Sequence, residues 1–327
     1  MRFKGAFIFL ALALLFLGAK GALAVGPFSH MIFARQLWPQ AAPCLGLEPG
    51  EAGLMPALYA GALAPDAGYY PGAESSISTL VHVVEPWAFC RALLELARTP
   101  QEKAFALGWA SHALLDLSTH GQLVNPLAGG VYNHDRLKHK QIEWGLECRL
   151  LARPENAWLW QAAIDTKAGW SLWAKSMQKV YGVKADPRFL GQGQVSQQKE
   201  VTRLPYVWWW SGRLAMPDGG LVNYLGWLLG ETLRPAYVAW LTWRDQDMDV
   251  RAVLSPRPAS DADMADLSSL MDASQARLMA ALQGGAWPSD GLDADPDCQD
   301  ARCPEGRAAL QWLREHGGGG GRAAIMD

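Results

Sequence analysis

GWASHALLDLSTH, residues 108–120, sets His112, Asp116 and His120 at four-residue intervals inside an apolar run. Leu114, Leu115 and Leu117 give that run the pattern of a buried helix. A helix core does not accept a lone carboxylate and two imidazoles without partners, because each polar group removed from water must be compensated. The stretch therefore predicts an α-helical core, and something inside that core that pairs with imidazole and carboxylate.

Flanking segments extend the first expectation. PWAFCRALLELA (86–97), QEKAFALGWASHALLDL (101–117), HDRLKHKQIEWGLECRLLA (134–152) and NAWLWQAAIDTKAGWSLWAKSMQKV (156–180) repeat apolar residues at three- and four-residue spacing. Thr99 before Pro100, with Glu102 in the first turn, predicts a capped helix start. Sustained period-two alternation is scarce. The fold class expected is all-α, a multi-helix bundle whose core can hold a site. Residues 183–203 are polar, with several Gly and Gln, and read as a loop. Residues 206–210, a Tyr- and Trp-rich stretch, read as packed core or as a loop dipping into lipid. Residues 214–245 return to a helical pattern. SPRPASDAD (255–263) reads as a linker and cap for a helix over 264–282, and a short helix is expected near 305–315 before a disordered Gly-rich end.

The amino terminus has the build of an export signal. MRFK is basic, GAFIFLALALLFLG is apolar, and Ala22 and Ala24 form an A-x-A end, so residues 1–24 are expected to be a signal peptide cut after Ala24. An uncleaved anchor is the alternative, although the apolar run is short of the about 20 residues a full span needs. The domain plan is then 1–24 signal, 25–250 main helical domain and 251–327 helical appendage. Cleavage takes three basic residues, Arg2, Lys4 and Lys20, and no acid, so the formal net charge of -3 becomes -6. A mildly acidic protein is not an expected nucleic-acid binder. Of the five cysteines, Cys298 and Cys303 bracket a short polar loop and are the preferred disulfide of an exported chain. Cys90 and Cys148 read as buried thiols.

Six of the seven histidines fall between residues 30 and 139, among acids. On a helix, residues four apart differ by about 40° in direction and about 6 Å along the axis. His112 with Asp116, and His139 with Glu143, can thus each share one ion. His112 and His120 would stand about 12 Å apart on a persistent helix, so the spacing predicts at least two metal positions. Imidazole plus carboxylate in an exported protein favours zinc. Pro65 and Gly68 suggest a tight loop presenting Asp66. Arg136, Lys138 and Lys140 form a small basic patch, read as a solvated helix face or a contact for a phosphate head group. Tyr69 and Tyr70 line a substrate entrance or pack.

The order of these pieces resembles the zinc-dependent phospholipase C family, which is distantly related to fungal single-strand zinc nucleases. The series is G-P-x-[ST]-H ending at His30, G-A-x-x-P-D ending at Asp66, a lone His82, H-x-x-x-D at His112 and Asp116, a further His120, and H-x-x-x-E at His139 and Glu143. Each piece is weak alone, and the ordered set, over roughly residues 25–150, is specific. The resemblance implies an all-α fold and two to three zinc ions. Asp66, His82, His112 and Asp116 would hold one. Asp116 would bridge to a second, which also takes His30 and the amine and carbonyl of the first mature residue, Val25. His120, His139 and Glu143 would hold the third. The intervals around His120 differ from those of the best-known bacterial members, so His134 stays open as a ligand or as a group behind the ligands or against substrate.

What the resemblance implies for chemistry is phosphodiester hydrolysis by metal-activated water, with Asp66 orienting the water and accepting its proton. The expected activity is phospholipase C-type cleavage of phospholipid head groups, with peripheral membrane contact. The rivals are a nuclease on the same scaffold and a metal-stabilised binding protein without turnover. No Gly-rich phosphate loop and no G-x-S-x-G elbow is present.

Overall fold

A computed structural model describes residues 26–70, 72–131, 134–210, 214, 223–224, 228, 252–288 and 303–317. Among these residues the regular structure is entirely helical. Helices α1 (Pro27–Ala41) and α2 (Leu54–Leu63) lead into a 3₁₀ turn (Ala64–Tyr69). They are followed by α3 (Ser75–Val83), α4 (Pro86–Leu96) and α5 (Pro100–Thr119). A π-turn (His120–Val124) and the single turn α6 (Asn125–Ala128) precede α7 (Arg136–Leu151). After a 3₁₀ segment (Pro154–Gln161) come α8 (Trp170–Tyr181), α9 (Pro187–Trp210), α10 (Asp261–Leu282) and α11 (Pro304–His316). No single described helix is long and apolar enough to cross a membrane.

Helix α5 is the axis of the fold. Thr99 and Glu102 form the expected reciprocal cap at its start. The α2 and α5 backbones meet closely because glycine stands at both contact points. A Cβ at Gly61 would sit 2.0 Å from the Phe105 carbonyl oxygen, and one at Gly108 would sit 2.1 Å from that of Leu58. Leu114 and Leu117 join one apolar cluster with α2, α3, α4 and α8, while Leu115 joins a second with α1, α7, α9 and α10.

Two regions differ from the sequence-based expectation. The run 156–180 is not one helix: it is a 3₁₀ segment, a turn and then α8, and Gly169 abuts the Phe105 ring so closely that a Cβ would lie 2.3 Å from it. Residues 183–203 are not a loop, since most of them lie in α9. Its buried stripe, Leu190, Gln194, Gln197, Val201, Leu204 and Trp208, has helical spacing. Two of the six positions are Gln, which disguised the pattern. Gln194 Nε2 donates to Ala60 O (3.0 Å) and Gln197 Nε2 to Leu63 O (2.7 Å), so these amides bond carbonyls of the last turn of α2. Trp208 and Trp209 are buried and Tyr206 is 45 % exposed.

The carboxy-terminal helices pack against the earlier ones. Ser274 Oγ of α10 donates to Ser118 Oγ of α5 (2.8 Å), and Leu278 lies in the first apolar cluster. Helix α11 packs on α3, with Ala309 and Leu313 in that cluster. The chain before α10 crosses α7 at Gly145, where a Cβ would meet the Arg257 carbonyl oxygen at 1.8 Å. Cys303 is disulfide-bonded, while Cys44 and Cys90 are free thiols. Residues 1–25, Cys298, most of 214–245 and the Gly-rich end lie outside the described residues, and with them the readings made there.

Candidate metal centre

Six elements bring eight of the singled-out side chains together. His30 comes from α1, Asp66 from the 3₁₀ turn, His82 from α3, His112 and Asp116 from α5, His120 from the π-turn, and His139 and Glu143 from α7. All eight are buried, none more than 3 % exposed. Their ligand atoms fall into three groups, His30–Asp66–His112, His82–His112–Asp116 and His120–His139–Glu143, the first two sharing His112 and each within 4.8 Å.

The local reasons can be read element by element. Asp66 is presented by a turn held at Gly68, whose N–H donates to Ser78 Oγ (2.8 Å). Helix α9 supports the same turn, and a Cβ at Gly193 would lie 2.4 Å from the Ala67 carbonyl oxygen. At the end of α5, Ser118 Oγ and Thr119 Oγ1 donate back to the carbonyls of Leu114 (2.9 Å) and Leu115 (2.8 Å). Such bonds compete with the helix ladder, and the helix passes into the π-turn at the next residue. His120 Nε2 thereby lies 3.3 Å from Glu143 Oε1 and 3.8 Å from Asp116 Oδ1. A straight helix alone does not predict this link between the outer groups.

Asp116 is the hub. Its Oδ1 lies 3.4 Å from His30 Nε2, and its Oδ2 lies 3.6 Å from His82 Nε2 and 3.8 Å from His112 Nε2. Both oxygens are buried without a hydrogen-bond donor. The imidazoles are oriented from behind. His112 Nδ1 meets the Ala62 carbonyl and His82 Nδ1 the Ser78 carbonyl, each at 2.8 Å. A carbonyl only accepts, so the proton sits on Nδ1 and each Nε2 lone pair points into the centre, the arrangement found behind metal-bound histidine. Burial, then His30, lowers the His112 pKa to about 4, which keeps it neutral near pH 7. Burial acts to raise Asp66, but His112, His82 and His30 outweigh it and hold the carboxyl below its usual range. Glu143 is likewise held low by His139 and His120 against burial. A neutral His112, carboxyls at Asp66 and Glu143 held low, and donor-free oxygens at Asp116 together fit divalent cations with N and O preference, zinc among them.

The remaining singled-out residues divide. His134 is exposed in a turn and joins none of the three groups. Tyr69 is half-buried with its ring 5.7 Å from that of His82, while Tyr70 is buried in the second apolar cluster. The basic patch breaks up: Lys140 is buried, while Arg136 and Lys138 are exposed and Lys138 Nζ donates to the Ala128 carbonyl (2.9 Å). Val25 lies outside the described residues. Sequence reasoning missed Glu147, fully buried one turn beyond Glu143, although the continued interval His139, Glu143, Glu147 was a usable signal. It also missed Gln194 and Gln197, which bond the last turn of α2, directly before the turn bearing Asp66.

The family model described as zinc dependent phospholipase C matches residues 29–187, a stretch containing all eight clustered side chains. No curated protein and no solved structure matches the chain.

Proposed function

Residues 29–187 belong to the zinc-dependent phospholipase C family, and from that premise we propose that this chain is an exported phosphodiesterase that hydrolyses phospholipid head groups, releasing diacylglycerol and a phosphorylated head group. The observation that carries the reading is the hub at Asp116, a donor-free buried carboxylate whose two oxygens face different imidazoles. Asp66, His82, His112 and Asp116 would hold one ion. His30 and Asp116, with the first residue of the processed chain, would hold a second, and His120, His139 and Glu143 a third. Bound zinc supplies Lewis acidity, lowering the pKa of a water towards neutrality and offsetting charge on phosphate oxygens.

The chain's own residues supply the rest. Asp66 is ionised at neutral pH and sits in a turn braced from two sides, so it can orient a water and accept its proton. The Nδ1 bonds of His82 and His112 keep both rings from turning. Tyr69 stands half-buried beside His82, as a wall against which a head group can lie. Exposed Tyr206, Tyr224 and Leu228 support contact with a lipid surface.

The test is turnover by zinc-loaded, processed protein on phosphatidylcholine vesicles, single-stranded DNA and a chromogenic phosphodiester. Diacylglycerol release supports the proposal. Cleavage of DNA alone, or turnover of nothing with zinc fully bound, sinks it in favour of a nuclease or a metal-stabilised binding protein respectively.

A further inference from the structure

Glu147 lies on α7, and both of its oxygens are engaged by the start of α1. Oε2 accepts from the Phe28 N–H (2.6 Å) and Oε1 from the Ser29 N–H (2.9 Å). The first N–H groups of a helix have no partner inside it, and a carboxylate there also meets the positive end of the helix dipole. The chain leaves room for this acid. A Cβ at Gly26 would lie 2.3 Å from Glu147 Cγ, so only glycine admits the side chain at this distance. From within the turn, Ser29 Oγ donates to the Gly26 carbonyl (2.8 Å). His30 is the next residue, and its Nε2 faces Asp116 at 3.4 Å.

Phe28 also meets Trp208 edge-on, with ring centroids 6.1 Å apart. The two bonds from Glu147 to consecutive amides fix the height of α1 against α7. The amino-terminal turn is thus tied to the helix that also carries His139 and Glu143, so His30 and the third group share one rigid support.

We propose that Glu147 is a positioning residue: it clamps the first turn of α1 to α7 and so sets where His30 meets the metal centre. The inference rests on the proposed reading of that centre as metal-binding. Glu147→Gln keeps the volume but points an amide NH2 at one of the two backbone N–H groups. Gly26→Ala attacks the same contact from the other side. Full-length processed protein would be stripped with chelator and titrated with zinc, with ions per chain counted by elemental analysis and stepwise affinities measured by competition with a chromophoric chelator. Amide hydrogen exchange at Phe28 and Ser29 would be followed in parallel.

Both variants are expected to keep the ion on His120, His139 and Glu143 and to bind the ion that takes His30 about tenfold or more weakly, with faster exchange at the two amides. A folded variant with full stoichiometry and unchanged affinities overturns the clamp while leaving the metal reading intact. A wild-type protein that binds no zinc overturns the metal reading and this inference with it. If neither variant folds, the wild-type protein decides: rapid exchange at Phe28 and Ser29 overturns the clamp, and strong protection supports it.

Discussion

Oδ1 of Asp116 lies 3.4 Å from Nε2 of His30, although the two residues sit on different helices and 86 positions apart in the chain. The other oxygen of the same carboxylate is turned to His82 and His112. One side chain therefore serves both sides of the centre. Asp116→Asn replaces one anionic oxygen with a nitrogen that cannot ligate and leaves the shape unchanged. It should lose two zinc ions together while keeping the one on His120, His139 and Glu143. Elemental analysis showing all ions retained in the variant refutes the bridge.

His120 and His134 should behave oppositely. His120 is buried 3.3 Å from Glu143, and His134 is exposed in a turn. His120→Ala is expected to lose one ion per chain and most of the turnover. His134→Ala should keep its zinc content and thermal midpoint within the scatter of wild type. A variant of His134 that loses an ion would reverse the assignment.

Helix α9 braces the turn that holds Asp66. Gln197→Ala leaves the Leu63 carbonyl buried without its donor, a loss of about 1–3 kcal/mol, readable as a lower urea midpoint. Gly193→Ala should do more at the site, because its Cβ would press on the Ala67 carbonyl beside Asp66. The expected result is weaker binding of the ion on Asp66 and His82 by zinc titration. Unaltered titration curves in a destabilised Gly193→Ala would show that the brace does not reach the site.

The pH dependence of the metal-free protein follows from His112. Burial, then His30, lowers its folded pKa to about 4 from 6.5. Between those values the unfolded chain takes up a proton that the folded chain refuses, so stability falls as pH drops from 6.5 to 4 and is fully present above 6.5. The contribution is at most about 3 kcal/mol. Urea midpoints of chelated protein over this window should fall with acid, and His112→Asn should flatten that part of the slope. An unchanged slope in the variant would assign the effect to other groups.

Much of this molecule was legible from local spacing. Apolar residues at three- and four-residue intervals announced α4, α5, α7 and α10, and Thr99 with Glu102 marked the start of α5, because a helix is a local structure whose period and caps are written in adjacent residues. The ordered His, Asp and Glu motifs likewise pointed to the eight side chains that gather, since four-residue spacing on a helix points two groups the same way. Tertiary structure alone decided what those groups share: that Asp116 divides its oxygens between His30 and His82, that a π-turn links His120 to Glu143, and that Glu147 takes the free amides of α1. It also decided that 183–203 is largely helix, because Gln194 and Gln197 occupy core positions only by virtue of carbonyls more than 130 residues away. Such partners have no signature in the neighbouring sequence: a buried polar group is tolerable or not according to what the rest of the chain brings to it, and that is a property of the assembled fold.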